Sequence, residues 1–316
     1  MGLKDWFIKP STRALIAEAH KTPRYSFFDL VHGYVYGRWP YLYIGIGIGE
    51  HPLAKWLAPL SSWANRLIAL IPKRKQGESA HSHIGFADAY HGKAVPLETA
   101  RRLVSIEEEI EIHDLEQVIP YKRARSIIMH NPDHIVVLDC PCRSARPHPC
   151  LPLDVCLIVG EPFASFVHEH HPKRSRRITR DEAVAILKAE DERGHVHHAF
   201  FKDAMLDRFY AICNCCECCC GALQAHRSGT PMLAASGYVS QINEDLCIGC
   251  GDCVPYCQFH ALEVVDGVNH VIYEACMGCG ICTSKCGQEA LSLVRDDAKG
   301  VPLEICSVMK EAIFVE

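Results

Sequence analysis

The feature that most constrains this chain is a spacing of cysteines that occurs twice near its C-terminal end. The motif C-x2-C-x2-C-x3-C covers residues 247–257 and recurs 29 residues later over residues 276–286. A spacing of two residues places three thiols on one tight loop, where they can cap three iron atoms of a cubane cluster. Zinc sites instead use pairs of C-x2-C. The triplets therefore favour two iron–sulfur clusters, each of which needs a fourth ligand from elsewhere in the chain.

Residues 237–296 resemble the bacterial two-cluster ferredoxins. The resemblance rests on the two cysteine motifs and on an alanine-leucine pair that follows each of them, Ala261-Leu262 and Ala290-Leu291. It implies a ferredoxin-like fold in which each [4Fe–4S] cluster takes its fourth ligand from the other motif. The implied ligands are Cys247, Cys250, Cys253 and Cys286 for cluster 1, and Cys276, Cys279, Cys282 and Cys257 for cluster 2.

Two further features of this region concern the backbone around the clusters. The proline that usually follows the fourth cysteine in this family is Gln258 here, and Gly287 in the second copy. Neither residue is a ligand, so the departure concerns local rigidity and reduction potential. Each motif also contains two glycines, which let backbone N–H groups turn toward the sulfur atoms. These glycines are Gly249, Gly251, Gly278 and Gly280.

The total of 19 cysteines among 316 residues favours metal ligation over disulfide bonds. The number is odd, and several cysteines adjoin in sequence, which is a poor arrangement for independent bridges. The first residues show neither the apolar stretch nor the cleavage site of a secretory signal. We therefore expect a cytoplasmic protein whose thiols stay reduced and act as ligands.

Ten cysteines precede the ferredoxin-like region and form two groups. The first has the spacing C-x-C-x7-C-x5-C after a predicted strand at residues 134–139, and the second packs six thiols into residues 213–220 after a predicted strand at residues 209–212. The candidate ligands are Cys140, Cys142, Cys150, Cys156, Cys213, Cys215, Cys216, Cys218, Cys219 and Cys220.

These two groups predict one or two additional iron–sulfur clusters. One backbone segment cannot direct six adjacent thiols at a single cube, so part of the second group should join the first group or remain unused. The first group could hold a cluster or a zinc ion, or could be buried thiols without metal. His197 could act as a further ligand, although a core or surface histidine is the more common case.

The overall pattern predicts an α+β protein made of several parts. These are a helical, aromatic and basic docking segment (1–75), a linker (76–95), a Cys-rich α/β domain with an extra iron–sulfur site (96–236), the two-cluster ferredoxin-like domain (237–296) and a C-terminal tail (297–316). Helices are predicted over residues 98–112 and 120–130. Thr179 and Glu182 form a capping box for a third helix that ends at Gly194.

The first 75 residues differ in charge from the remainder of the chain. They carry eleven Lys/Arg against four Asp/Glu, a balance of +7, whereas the rest carries 22 against 34, a balance of −12. Apolar residues recur at helical spacing between Leu53 and Ile71 with basic residues opposite, a pattern typical of an in-plane membrane helix. A helix packed on the core or on a partner subunit gives the same pattern. Peripheral membrane contact through residues 41–75 is thus one alternative, and no segment is long enough to predict a transmembrane helix.

The stretch from about residue 90 to 296 resembles a family of bacterial 4Fe-4S-binding proteins. The residues that carry this resemblance are 118–122, 139–143 (DCPCR), 193–197, 212–221 (ICNCCECCCG) and the doubled motif. The resemblance implies redox work in anaerobic metabolism without a settled reaction. No nucleotide, hydrolase or haem motif is present to predict a catalytic site, and the basic run at residues 173–177 is more typical of a solvated loop than of nucleic-acid binding.

We therefore expect an electron-transfer protein, or the electron-wiring subunit of a membrane-associated oxidoreductase complex with redox protein partners. The alternative is a reductase in which a cluster of the Cys-rich domain binds substrate and the ferredoxin-like domain supplies electrons. The first hypothesis makes the chain a component of an oxidoreductase rather than an enzyme by itself.

Overall fold

The computed structural model describes residues 8–54, 90–113, 115, 118 and 126–304. The predicted in-plane helix beyond residue 54, most of the predicted linker and the end of the tail lie outside the described residues. Among the helices that are described, none has the length and apolarity needed to cross a bilayer.

An eight-stranded sheet forms the centre of the molecule, and its strand order is β2-β3-β4-β7-β6-β1-β8, with β5 paired to β3. The pairs are antiparallel except for β1 with β8. The strands are β1 (Tyr90–Ala94), β2 (Ile110–Ile112), β3 (Ile127–Asp139), β4 (Asp154–Glu161), β5 (Ser175–Ile178), β6 (Val196–Lys202), β7 (Arg208–Cys215) and β8 (Leu233–Ala234).

Helices cover both faces of this sheet. They are α1 (Pro10–Lys21), α2 (Phe27–Arg38), α3 (Pro40–Gly47), α4 (Leu97–Val104), α5 (Pro141–Ser144), α6 (Phe163–His170), α7 (Arg180–Glu192) and α8 (Gly221–Arg227). The helix predicted from the capping residues is present as α7. The Thr179 hydroxyl accepts a hydrogen bond from the Glu182 N–H at 3.2 Å, and Gly194 follows the helix with a φ of 79°.

Strand alternation divides the buried residues into two cores on opposite faces of the sheet. Along β3, Val136 and Leu138 belong to the first core, whereas Ile135 and Val137 belong to the second. Helices α1 and α2 contribute to the first core, and the Tyr36 hydroxyl lies 2.8 Å from that of Tyr210. The described part of the N-terminal segment therefore packs against the central sheet.

The structure differs from the sequence prediction at three places in the central part. Helix α4 ends at Val104, so the second half of the helix predicted over residues 98–112 is a bend and strand β2. Residues 127–130, predicted as helical, belong to β3, where burial alternates as expected for isoleucine-rich extended chain. Strand β1 pairs with β6 and so brings residues 90–94, placed in the linker by sequence, into the sheet.

The C-terminal part is built from two short antiparallel pairs around the cysteine motifs. Strand β9 (Tyr238–Ile242) pairs with β12 (Leu291–Arg295), and β10 (Leu262–Val265) pairs with β11 (Val268–Val271). Helix α9 (Ile281–Ser284) starts inside the second motif. The predicted combination of helices and strands is thereby confirmed for the described chain.

Candidate metal centres

The structure brings together three thiols of the second motif and one of the first. Cys257, Cys276, Cys279 and Cys282 line one small pocket. Burial raises the pKa of the Cys282 thiol to about 11, and the neighbouring thiols of Cys257 and Cys276 act in the same direction. The four side chains are those that the ferredoxin resemblance assigns to cluster 2.

The other four thiols of this part also converge from both motifs. Burial raises the pKa of the Cys253 thiol, and the nearby thiols of Cys286, Cys250 and Cys247 raise it further. Cys250 is exposed, whereas Cys253 is buried. This set is the one assigned by resemblance to cluster 1, and it lies closer to solvent than the cluster 2 set.

Hydrogen-bond donors are directed at the sulfur atoms of both sets. The N–H groups of Ala261 and Ala290 lie 3.1 and 3.3 Å from the sulfurs of Cys257 and Cys286, at equivalent positions of the two repeats. The side-chain amide of Asn269 donates to Cys253 at 2.8 Å. Such donors stabilise the negative charge that thiolates and a bound cluster carry, so these residues fit iron–sulfur clusters.

Two glycines show why the motifs need residues without a side chain. Gly249 and Gly278 have φ values of 64° and 62°. A Cβ at Gly249 would lie 1.9 Å from the carbonyl oxygen of Gly267, and one at Gly278 would lie 2.1 Å from that of Tyr238. The cysteine loops can therefore approach the neighbouring backbone only because no Cβ is present.

Six of the remaining thiols surround a cavity of about 70 Å³ in the first core, and we call them the six-thiol ring. Neighbouring thiols around the cavity shift one another's pKa, and the Sγ atoms of Cys215 and Cys220 lie 3.2 Å apart. In the order of these interactions the ring is Cys213, Cys156, Cys140, Cys142, Cys220 and Cys215.

The register of the sheet explains how distant cysteines meet in the ring. Leu138 of β3 pairs with Cys156 of β4. Leu157 pairs with Ile212, so the next residues of that antiparallel pair are Cys156 and Cys213. Cys140 follows Leu138 by two positions and lies in the same core. Directly opposite residues share a face, so the ends of three strands direct their thiols toward one cavity.

The last four of the ten thiols form a compact group, which we call the four-thiol cluster. Cys150, Cys216, Cys218 and Cys219 have sulfur atoms that all lie within 4.8 Å of one another. Cys216 and Cys219 are buried, Cys150 is half-buried and Cys218 is exposed. Cys216 and Cys219 also line the cavity of the six-thiol ring. The two groups are therefore neighbours with separate membership.

The secondary structure of residues 213–220 determines which of their cysteines belong to which group. Cys213 and Cys215 lie in β7, where alternation gives them the same face, and Cys220 directly precedes α8. Between them the chain makes a turn, in which the Cys220 N–H donates to the Cys216 carbonyl at 2.9 Å. The turn holds Cys216, Cys218 and Cys219. Three thiols of the run thus join the ring and three join the four-thiol cluster.

Arg143 lies beside both groups and was missed as a functional residue at the sequence level. Its guanidinium is 1% exposed and donates to Glu190 at 2.5 Å, to the Pro152 carbonyl at 2.6 Å and to the Asn214 carbonyl at 3.1 Å. Its charge acts on the thiols of Cys140 and Cys216. Its position directly after the C-P-C sequence is the sequence feature that could have identified it.

His197 does not join the thiols. It lies on the second-core face with Asn214, whose side chain is 2.6 Å from the His197 ring nitrogen. The adjacent His198 lies on the other face, paired across β6 and β7 with Cys213. Its ring is fully buried, and burial lowers its pKa to about 3, so it stays neutral.

Aromatic and apolar side chains connect the cluster 2 set to the six-thiol ring. Phe259 and Met277 line the pocket of the cluster 2 set and also pack in the core that contains the ring thiols. The centroids of the Phe259 phenyl and His198 imidazole groups are 6.3 Å apart. His198 in turn neighbours Cys213.

Gln258, the residue that replaces the usual proline, ties the two parts together. Its side-chain oxygen accepts a hydrogen bond from the Glu217 N–H at 2.8 Å, within the cysteine run. Its side-chain nitrogen donates to the Gly194 carbonyl at 2.9 Å. The departure from the ferredoxin pattern thus serves the contact with the central sheet.

Buried, multiply grouped thiols with N–H donors aimed at sulfur define an iron–sulfur-binding protein. Residues 240–263, which contain the first cysteine motif, match the 4Fe-4S binding domain family. Comparison of the chain with curated proteins and with solved structures gives no match. The domain match and the thiol groups indicate 4Fe-4S binding and a role in electron transfer.

Proposed function

We propose that the protein carries single electrons between redox partners through two [4Fe–4S] clusters in its ferredoxin-like part and a third iron–sulfur centre at the six-thiol ring. The observation that carries this proposal is that two side chains link the surroundings of both sites. Phe259 and Met277 line the pocket of the cluster 2 thiols and pack in the buried core that contains the ring thiols.

The chain's own residues supply what electron transfer requires. Bound clusters would change their charge by one electron at a time. The N–H donors of Ala261 and Ala290 and the amide of Asn269 stabilise the charge on the thiolates. Apolar side chains make up most of the lining of the ring cavity and limit the access of water to it, and the hydrogen-bonded strands that carry Cys156 and Cys213 limit its reorganisation.

The different exposure of the cysteine sets supports an order in which electrons pass the three centres. Cysteines of the cluster 1 set reach the surface, since Cys250 is exposed. The cluster 2 set is more buried, and Phe259 of its pocket contacts His198 of β6. We therefore place cluster 1 at the side of the external redox partner, cluster 2 in the middle and the ring as the inner centre.

Exposed apolar side chains support docking to redox partners in a larger complex. Ile248, between the first two cysteines of cluster 1, is 66% exposed, and Leu246 beside it is 46% exposed. On the N-terminal helices, Phe27 and Phe28 are 73% and 82% exposed. We propose that the first pair meets the electron-exchange partner and the second a further subunit or the face of the cytoplasmic membrane.

Metal and sulfide analysis of the anaerobically purified full chain tests the third centre. The proposal expects about twelve cluster irons with about equal acid-labile sulfide, and electron paramagnetic resonance of three reduced centres. Cys156→Ser removes a buried ring thiol and should lower iron and sulfide by about four each, with the two ferredoxin signals unchanged. About eight irons in both proteins would refute a cluster at the ring.

A second candidate function is a reductase whose substrate binds at the ring. Its support is the apolar cavity beside the thiols, walled by Tyr36, Phe200 and Met205. An iron without a thiolate cap would bind an added small ligand such as cyanide. A shifted resonance signal of the ring centre with cyanide would favour the reductase, whereas an unchanged signal agrees with electron transfer alone.

A further inference from the structure

The four-thiol cluster differs in geometry from the other thiol sets. We infer that Cys150, Cys216, Cys218 and Cys219 bind one thiophilic divalent metal ion in a tetrahedral site, separate from every iron–sulfur cluster. The sequence offered these residues only as candidate ligands of additional clusters. Their placement in the structure distinguishes a single ion from a cube.

The spacing of the sulfur atoms is the main argument. Four thiolates at about 2.3 Å from one ion lie roughly 3.8 Å from each other in a tetrahedron. The thiolates of a cubane are roughly 6 Å apart, because each caps a different iron corner. Here Cys150 and Cys218 lie 3.0 Å apart, Cys218 and Cys219 lie 3.5 Å apart, and all four sulfurs lie within 4.8 Å. These distances fit one ion and leave no room for a cube.

The backbone around the site is held in place by the surrounding side chains. Arg146 donates to the Cys219 carbonyl at 3.2 Å and to the Gln224 side chain at 2.6 Å. Gln224 also donates to the Cys218 carbonyl at 3.3 Å. Arg143 fixes the loop that carries Cys150 through the Pro152 carbonyl. The turn and the loop therefore present their thiols together.

Charge compensation also favours an ion at this point. Four thiolates and one divalent ion leave a net charge of −2. The buried guanidinium of Arg143 acts directly on the Cys216 thiol, and the Arg146 guanidinium lies at the Cys219 carbonyl. Because all four positions are filled by protein, the site is closed, as in structural metal sites. Its role is to fix the turn that contacts both the ring cavity and Gln258.

Two ions share the chemistry that such a site selects, Zn²⁺ and Fe²⁺. Neither brings sulfide with it, whereas a [4Fe–4S] cluster brings one sulfide for each iron. The sum of iron and zinc should therefore exceed acid-labile sulfide by about one atom per chain, whatever the number of clusters. Elemental analysis of the native full chain with sulfide determination measures this excess and needs no variant.

Two variants locate the excess ion. Cys218→Ser removes the exposed thiol of the four-thiol cluster, and should abolish the excess while iron bound with sulfide stays constant. Cys156→Ser, the control in the ring, should lose iron and sulfide together and keep the excess. Zinc loss in the first variant would identify Zn²⁺, and loss of one iron without sulfide would identify Fe²⁺.

The same measurements can overturn the inference. Equal amounts of metal and sulfide in the native chain would exclude a single-ion site. A loss of about four irons with four sulfides in Cys218→Ser would assign these thiols to a cubane. If that variant fails to fold, the extended fine structure in X-ray absorption of the native chain decides: a single ion has four sulfur neighbours at about 2.3 Å and no metal neighbour.

Discussion

Substitution of Gln258 by alanine should loosen the ferredoxin-like part from the central sheet without loss of any cluster ligand. The side chain is 9% exposed and makes two hydrogen bonds between the parts, from the Glu217 N–H and to the Gly194 carbonyl. Gln258→Ala removes both bonds and leaves the two backbone groups without that partner.

The structure sets the size of the effect. A hydrogen bond contributes about 1 kcal/mol net, and a buried group left unsatisfied costs about 1–3 kcal/mol. Two affected groups, one half-buried and one buried, give a loss of about 2–4 kcal/mol in the free energy that closes this contact. At tenfold for each 1.4 kcal/mol, the opening equilibrium should rise about 30- to 700-fold.

Amide hydrogen exchange of Ser236 measures this opening, since its N–H donates to the Met277 carbonyl at 3.0 Å across the two parts and the substitution leaves that bond in place. The matched control is Gly287→Ala at the equivalent position of the second motif, where an added Cβ meets nothing within 4 Å. Exchange at Ser236 should accelerate in Gln258→Ala and stay unchanged in the control. An acceleration below threefold, with the iron content intact, would refute the docking role of this side chain.

Three more outcomes follow from single substitutions. Arg143→Ala removes one partner of the Glu190 carboxylate, which is 1% exposed and keeps its contacts with Arg193 and His195. The substitution should lower the free energy of unfolding by about 1.5–3 kcal/mol, the range for a hydrogen bond to a charged group; a loss below 1 kcal/mol in urea titration would contradict this. Gly249→Ala places a Cβ against Gly267, so iron analysis should show about four irons fewer, and full iron content would be inconsistent with it. Burial lowers the pKa of Lys93 to about 7, so the unfolded chain binds more protons between about pH 7 and 10. The stability of the native chain relative to Lys93→Met should therefore rise with pH in that window, and a flat difference between unfolding curves at pH 7 and 9 would argue against it.

The C-terminal cysteine sets were accessible from sequence because their geometry is local. Three thiols of each motif lie on one loop, where Gly249 and Gly278 take a positive φ. Helix α7 was accessible for the same reason, since Thr179 and Gly194 mark its ends over a single segment. In each case residues close in sequence determine the conformation.

The division of the other ten cysteines into the six-thiol ring and the four-thiol cluster could not be predicted from local sequence. Cys156 meets Cys213 only because β4 lies beside β7, and this pairing depends on the order of the whole sheet. Residues 127–130 were misassigned because short isoleucine-rich segments fit helix and strand alike, and pairing with β2 at residues 127–129 decides for the strand. Long-range pairing, rather than local propensity, sets both results.

Residues 213–220 pass from a strand through a turn to the start of a helix, and each of these eight residues has a contact or a place in a thiol group. Asn214 holds His197 and the Val155 carbonyl, and Glu217 contacts Gln258, while the six cysteines divide between two groups. An insertion or deletion of one residue would exchange the two faces of the strand and send ring thiols toward the wrong core. The segment should therefore tolerate a changed side chain more readily than a changed length.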